Sequence, residues 1–198
     1  AMIASLAREL GLPATVLAGS SLADLGGRAT LVQGSDFFVA ETCEYRRNFL
    51  SFSPRSIVIT SVEPDHLDYY HDAADILEAF VEYARQLPPG GTLIYCADDS
   101  GASSVAGRIR AERPDVELRA YGRSVSGAGA VGVVGHEAGR VRCTIGGLPC
   151  ELHVPGDHNV LNAAAALLVI RLLLAWTVDA RTDQTEDGAH GAGALTAD

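Results

Sequence analysis

Between Ser56 and Tyr121 the chain alternates short uncharged runs with longer amphipathic ones, and this alternation constrains the fold most. Ser56-Ile57-Val58-Ile59-Thr60 is β-branched and carries no charge, the pattern of a strand buried on both faces. Asp72 to Gln86 then places Ile76, Leu77, Phe80, Val81 and Ala84 on one helical face, with Asp72 as N-cap. Pro88-Pro89-Gly90-Gly91 ends that helix and turns into a strand over Thr92 to Cys96. Ala97-Asp98-Asp99-Ser100 opens a helix to about Glu112, and Glu117 to Tyr121 reads as a further strand. Such an order predicts an α/β fold, mostly a parallel sheet with helices on both faces.

The flanks extend this pattern. Met2 to Gly11 reads as a helix stopped by Gly11, so the sequence opens inside an element. Ala14 to Ala18, Ala29 to Val32 and Phe37 to Ala40 read as strands, with Gly19 to Arg28 as a Gly/Ser-rich loop. Asn48 to Phe52 is a helical turn. From Ala130 to Val154 the period changes. Val131–Val134, Arg140–Ile145 and Cys150–Val154, split by glycine turns, predict a small antiparallel β meander. A long helix is expected over His158 to Trp176. The polar, acidic stretch from Thr177 on reads as a disordered tail. The expected division is one domain over 1–176 and a tail over 177–198.

Composition excludes several functions. The net charge of −10 argues against general nucleic-acid binding, which needs a basic stripe. All 15 basic residues are Arg. A Schiff-base lysine or a phosphate-loop lysine therefore cannot come from this stretch, and phosphate contacts fall to Arg, backbone N–H groups or a metal. Cys43, Cys96, Cys143 and Cys150 form no Cys-x-x-Cys pair and read as reduced thiols of a cytoplasmic protein. No secretory leader is expected. The apolar run Ala163 to Trp176 is short for a membrane span and is interrupted by Arg171, so a buried helix is the better reading.

Two groups of residues carry chemistry. Glu41, in Glu41-Thr42-Cys43-Glu44, and His66, in Glu63-Pro64-Asp65-His66-Leu67-Asp68-Tyr69-Tyr70, each lie just beyond a predicted parallel strand, where ligands bind in open α/β sheets. If those strands are neighbours, a carboxylate and an imidazole can share a divalent cation. The alternative is that Glu41 and Glu44 are solvated loop acids and that Asp65 and Asp68 cap a turn. The second group is Pro155-Gly156-Asp157-His158-Asn159-Val160-Leu161-Asn162. Asn159 and Asn162, three apart, share one side of a first helical turn, and their amides suit the edge of an adenine. Equally, Asp157 or Asn159 is simply a cap.

These motifs, in this order, resemble the central domain of the Mur ligases, over roughly Met2 to Arg171. The resemblance implies the P-loop-like central fold of that family. It implies an ATP-dependent, amide-bond-forming ligase of peptidoglycan synthesis. The closest branch joins L-alanine to the lactyl carboxylate of UDP-N-acetylmuramate through an acyl phosphate. By motif, Glu41 and His66 match the catalytic pair that holds Mg2+. Asn159 and Asn162 match the residues that read the adenine of ATP, and His158 matches the motif's supporting histidine. The family's glycine-rich phosphate loop is expected immediately before Ala1, with an N-terminal UDP-binding domain before it and a C-terminal domain after the tail begins. The chain alone is then expected to be inactive. Thr42, Asn48 and Asp157 depart from the usual residues, and Asp157 replaces a positive charge. Two alternatives stand beside this reading. One is a stand-alone, degenerate adenine-nucleotide-binding domain without turnover, and the other is a related ligase that recycles murein peptide.

Overall fold

The computed structural model describes residues 1–22, 25–137 and 139–190, the stretch 179–190 by its backbone alone. Helix α1 (Met2–Glu9) is followed by strands β1 (Ala14–Leu22), β2 (Arg28–Val32) and β3 (Phe37–Ala40). They form a sheet in the order β2-β1-β3, with β2 antiparallel and β3 parallel to β1. Strand β4 (Ser56–Ile59), helix α2 (Ala73–Arg85), strand β5 (Thr92–Cys96), helix α3 (Ser100–Glu112) and strand β6 (Glu117–Tyr121) alternate as expected. These strands form a second sheet, parallel throughout, in the order β4-β5-β6. Strands β7 (Val131–Glu137), β8 (Arg140–Ile145) and β9 (Leu148–Leu152) make the antiparallel meander.

Strand β5 shows why helices lie on both sides. All five of its residues are buried, and successive side chains point to opposite faces. Leu93 and Tyr95 enter a core with α2 and α3, whereas Ile94 and Cys96 enter one with α1, the meander and helix α4 (Asp157–His190). Helix α4 supplies Val160, Ala163, Ala164, Leu168 and Ile170 to that second core, and its alanines allow close approach to the sheet. The segment Asp157–Val178 is long and apolar enough to cross a membrane, but it packs as a core helix of this fold.

Side-chain caps start the two middle helices. Asp72 accepts from Asp75 N at 2.9 Å, and Asp99 accepts from Ala102 N at 2.7 Å. Asp99 also accepts from Val62 N at 3.1 Å, which ties the loop after β4 to the start of α3. Removing a cap of this kind costs about 1 kcal/mol.

The structure departs from expectation in three places. The predicted Gly19–Arg28 loop is shorter, because β1 runs on to Leu22 and pairs with Arg28 around a turn at Gly26 and Gly27, both at positive φ. Helix α4 does not end at Trp176, the expected boundary of the tail, but continues to His190. No glycine or proline lies between Thr177 and Asp187 to stop it. The rest of the expected tail, 191–198, lies outside the described residues. Third, β3 and β4 do not pair. They are the facing edges of two separate sheets, with a slot between them.

Both edges of the slot are legible in the hydrogen bonding. Phe37 N and Glu41 N donate to β1 or its approach, so the odd residues of β3 face β1. Thr92 N donates to Arg55 O, so the odd residues of β4 face β5. Phe38, Ala40, Ser56 and Val58 are left with their backbone groups toward the slot. One cavity lies between β3 and the approach to β4, and another lies between the segment after β3 and the end of β4. Ser56 Oγ, buried and lining the slot, has no hydrogen-bond partner among the described residues.

Candidate functional site

A cavity of about 530 Å³ opens beside the middle of β1, the end of β3, the length of β4 and the start of α4. Glu41, Thr60, Asn159 and Asn162 all line it. The first residue after β3 supplies the carboxylate: Glu41 N extends the ladder by donating to Leu17 O at 2.9 Å. Its side chain then turns back, and Oε2 accepts from Gly19 N at 3.1 Å. A Cβ at position 19 would stand 2.7 Å from Glu41 Oε1, so the absence of a side chain there admits the carboxylate.

Asn159 and Asn162 reach this cavity from the first turns of α4. Asn159 Nδ2 donates to Pro155 O at 2.7 Å, which leaves its carbonyl oxygen as the acceptor. Asn159 thus lies inside the first turn of α4 and lines the cavity as well. His158 is exposed, with its ring against Gly156, and is not among the residues lining the cavity.

His66 is placed differently. A second cavity of about 350 Å³ adjoins the first and shares Thr42 and Thr60 with it. Glu44 and Asp65 line this second space. His66 Nε2 lies 3.2 Å from Glu44 Oε1 and 3.9 Å from Asp65 Oδ2. The carboxylate beside the imidazole is thus Glu44, while Glu41 turns to Gly19 in the cavity that the asparagines also line. Backbone shape enforces the arrangement: His66 has φ 52°, and Arg46 and Arg47 have φ 52° and 57°. Such values are unusual for residues with a Cβ and cluster at functional sites. The hydroxyl of buried Tyr70 donates to Glu44 O at 2.5 Å, and the Tyr45 ring packs against His66 with centroids 4.8 Å apart.

Three contributors escape a reading by motif. Tyr83 of α2 borders both cavities; burial pushes its phenol pKa up, and a hydrogen bond with Thr42 opposes that shift. Arg123 and His136 meet Asp157, with Arg123 Nη2 at 2.8 Å and His136 Nε2 at 2.6 Å from its two oxygens. Arg123 thereby offsets the negative charge of Asp157 at the helix start. The contacts join residues 34 and 21 positions apart, so no local pattern announces them.

Comparison with known proteins agrees with this architecture. The model of the Mur ligase middle domain matches residues 2–170. The UDP-N-acetylmuramate–L-alanine ligase of Treponema pallidum is 43% identical over 169 residues, covering 84% of this chain and 35% of that protein. Its counterpart from Arthrobacter sp. is 39% identical over 173 residues, covering 85% and 36%. Among solved structures, MurC from Thermotoga maritima superposes with a TM-score of 0.66 at 24% identity, over 87% of this chain and 38% of that one. A MurF ligase from Thermotoga maritima, solved in complex with ADP, gives 0.60 at 16% identity, over 87% and 42%. At these identities the structures speak to the fold alone. The chain spans about a third of the length of the curated relatives it matches. On the matched residues and the shared fold, the chain belongs to the Mur ligase family, as its middle domain.

Proposed function

We propose that this chain is the ATP-handling middle domain of a cytoplasmic UDP-N-acetylmuramate–L-alanine ligase of peptidoglycan synthesis. Ligation would require the further domains that its relatives' greater length accommodates. The observation that carries the reading is the single cavity that gathers Glu41, Asn159 and Asn162 at the carboxyl ends of parallel strands and the start of α4. Ligands bind there in open α/β sheets.

In this reading the lactyl carboxylate attacks the γ-phosphorus of ATP, ADP leaves, and an acyl phosphate results. The amine of L-alanine then adds to the acyl carbon, and phosphate departs as the amide forms. Catalysis of this kind is mostly positioning and charge neutralisation. Asn159 and Asn162 would present amides to the adenine edge, with the Asn159 carbonyl oriented by its bond to Pro155. His158 would support that turn from outside. Glu41 would be held ready by the Gly19 N–H. Glu41 would offer a carboxylate oxygen to a magnesium ion at the strand end; His66, which stands beside Glu44 in the adjoining space, would have to turn toward Glu41 to share that ion. When bound there, the ion would neutralise charge on the phosphoryl oxygens. Glu44 would keep the His66 ring in place, 3.2 Å away.

Calorimetry with ATP and Mg2+ on the chain and on Glu41→Ala tests the assignment. Affinity should fall by about tenfold or more, the scale seen when groups that hold a metal are removed. Equal affinity in both would sink it, and no measurable binding by either would leave the site dependent on the other domains of the enzyme.

A further inference from the structure

We propose that Cys43, Glu44 and His66 form a site for a thiophilic divalent cation of the zinc class, beside the magnesium position and sharing His66 with it. Only the sharing of His66 rests on the ligase reading above. One ligand atom from each of the three residues lies within 4.8 Å of the others. The His66 Nε2 to Glu44 Oε1 separation is 3.2 Å, close to the ligand-to-ligand spacing around an ion bound at about 2.0–2.3 Å. With three protein ligands, water would take the fourth position, as in open zinc sites. A thiolate, an imidazole and a carboxylate at a tetrahedral site are a zinc set, whereas magnesium takes oxygen and rejects sulfur.

Partners from both loops hold the three donors in place. Tyr45 N donates to Cys43 Sγ at 3.4 Å, and Tyr70 hydroxyl fixes the Glu44 carbonyl. His66 is clamped on three sides. Asp65 Oδ1 accepts from its N–H at 2.6 Å, Tyr69 N and Tyr70 N donate to its carbonyl, and the Tyr45 ring covers its face. Tyr45 is itself anchored by its hydroxyl to Asp68 Oδ2 at 3.0 Å. Supporting contacts of this sort keep metal ligands oriented and are worth about 10- to 100-fold in affinity. Binding exchanges the thiol proton for a sulfur–metal bond, and the proton passes to solvent. The consequence is competition: an imidazole that ligates a thiophilic ion is lost to magnesium, so zinc would inhibit the ligase.

The test is titration of the full chain with Co2+, read by the thiolate-to-cobalt absorption band, then displacement by Zn2+. Magnesium–ATP calorimetry runs alongside. The band should form at one cobalt per chain, vanish in Cys43→Ser and persist in Cys150→Ser. Zinc affinity should fall about 100-fold in Cys43→Ser and about tenfold in Glu44→Gln, with magnesium–ATP binding kept in Cys43→Ser. Absence of the band, or its survival in Cys43→Ser, overturns the site. Glu44→Gln guards against a folding artefact in the cysteine variant. If Glu41→Ala leaves magnesium–ATP affinity unchanged while the cobalt band behaves as expected, the ligase assignment fails and the thiophilic site stands.

Discussion

Glu41 and Gly19 meet across the sheet: the carboxylate at the end of β3 accepts from the backbone N–H in the middle of β1, 3.1 Å away. The contact sets the direction of the acid that lines the main cavity. A methyl group on residue 19 would lie 2.7 Å from Glu41 Oε1.

Gly19→Ala therefore serves as a remote test of Glu41. Position 19 does not have the positive φ that would strain alanine, so the thermal midpoint should change little. Glu41 is exposed and can move, but its new direction would leave the site. Calorimetry should show ATP–magnesium affinity reduced by about tenfold, as in Glu41→Ala, with a double variant no worse than either single one. An additive loss in the double variant would show that Gly19 acts elsewhere.

Acid stability should depend on the clasp between α2 and α3. Arg108 and Arg85 hydrogen-bond to Glu78 and hold its carboxyl below the usual range. A depressed folded-state pKa gives stability that is present above the unfolded value of about 4.3 and is lost as pH falls through the folded value. The difference in thermal midpoint between the native chain and Glu78→Gln should thus be largest near neutral pH and shrink below about pH 4. Because the pair is half exposed, salt should shrink it as well. A difference that stays constant from neutral pH to pH 3 would remove Glu78 from the explanation.

Much of the fold is readable because its signals are local. Asp72 and Asp99 stand where a cap must stand, and the β-branched run Ser56 to Thr60 has one plausible conformation. What cannot be read locally is which strand sits beside which. Phe37–Ala40 and Ser56–Ile59 both read as parallel strands, but nothing in either run says that they face each other across a slot. The same limit applies to the site. Glu41, Asn159 and Asn162 stand out by motif and share a cavity, whereas the Glu44–His66 pairing depends on positive φ at Arg46, Arg47 and His66, which those residue types do not advertise. The Arg123–Asp157 contact has no local signature at all.

The slot itself yields the last prediction. A sheet edge presents unpaired N–H and C=O groups that must find water or another chain. On β3 these belong to Phe38 and Ala40, and on β4 to Ser56 and Val58, by alternation from the bonds made at Glu41 and Arg55. Phe38 is 62% exposed and Val58 36%, high for apolar residues inside an α/β sheet. Hydrogen exchange on the chain at low concentration should find fast amides at Phe38, Ala40 and Val58, interleaved with slow ones at Val39 and Ile57. The alternation is the diagnostic, since local unfolding would expose neighbours together. If protection at Phe38 and Val58 instead rises with protein concentration, the edges are pairing between copies. A single charge at the rim, Phe38→Lys, should then abolish that rise, because lysine on a strand edge blocks pairing with another chain. Uniform protection along both strands at every concentration would mean that β3 and β4 pair directly and that the slot is closed in solution.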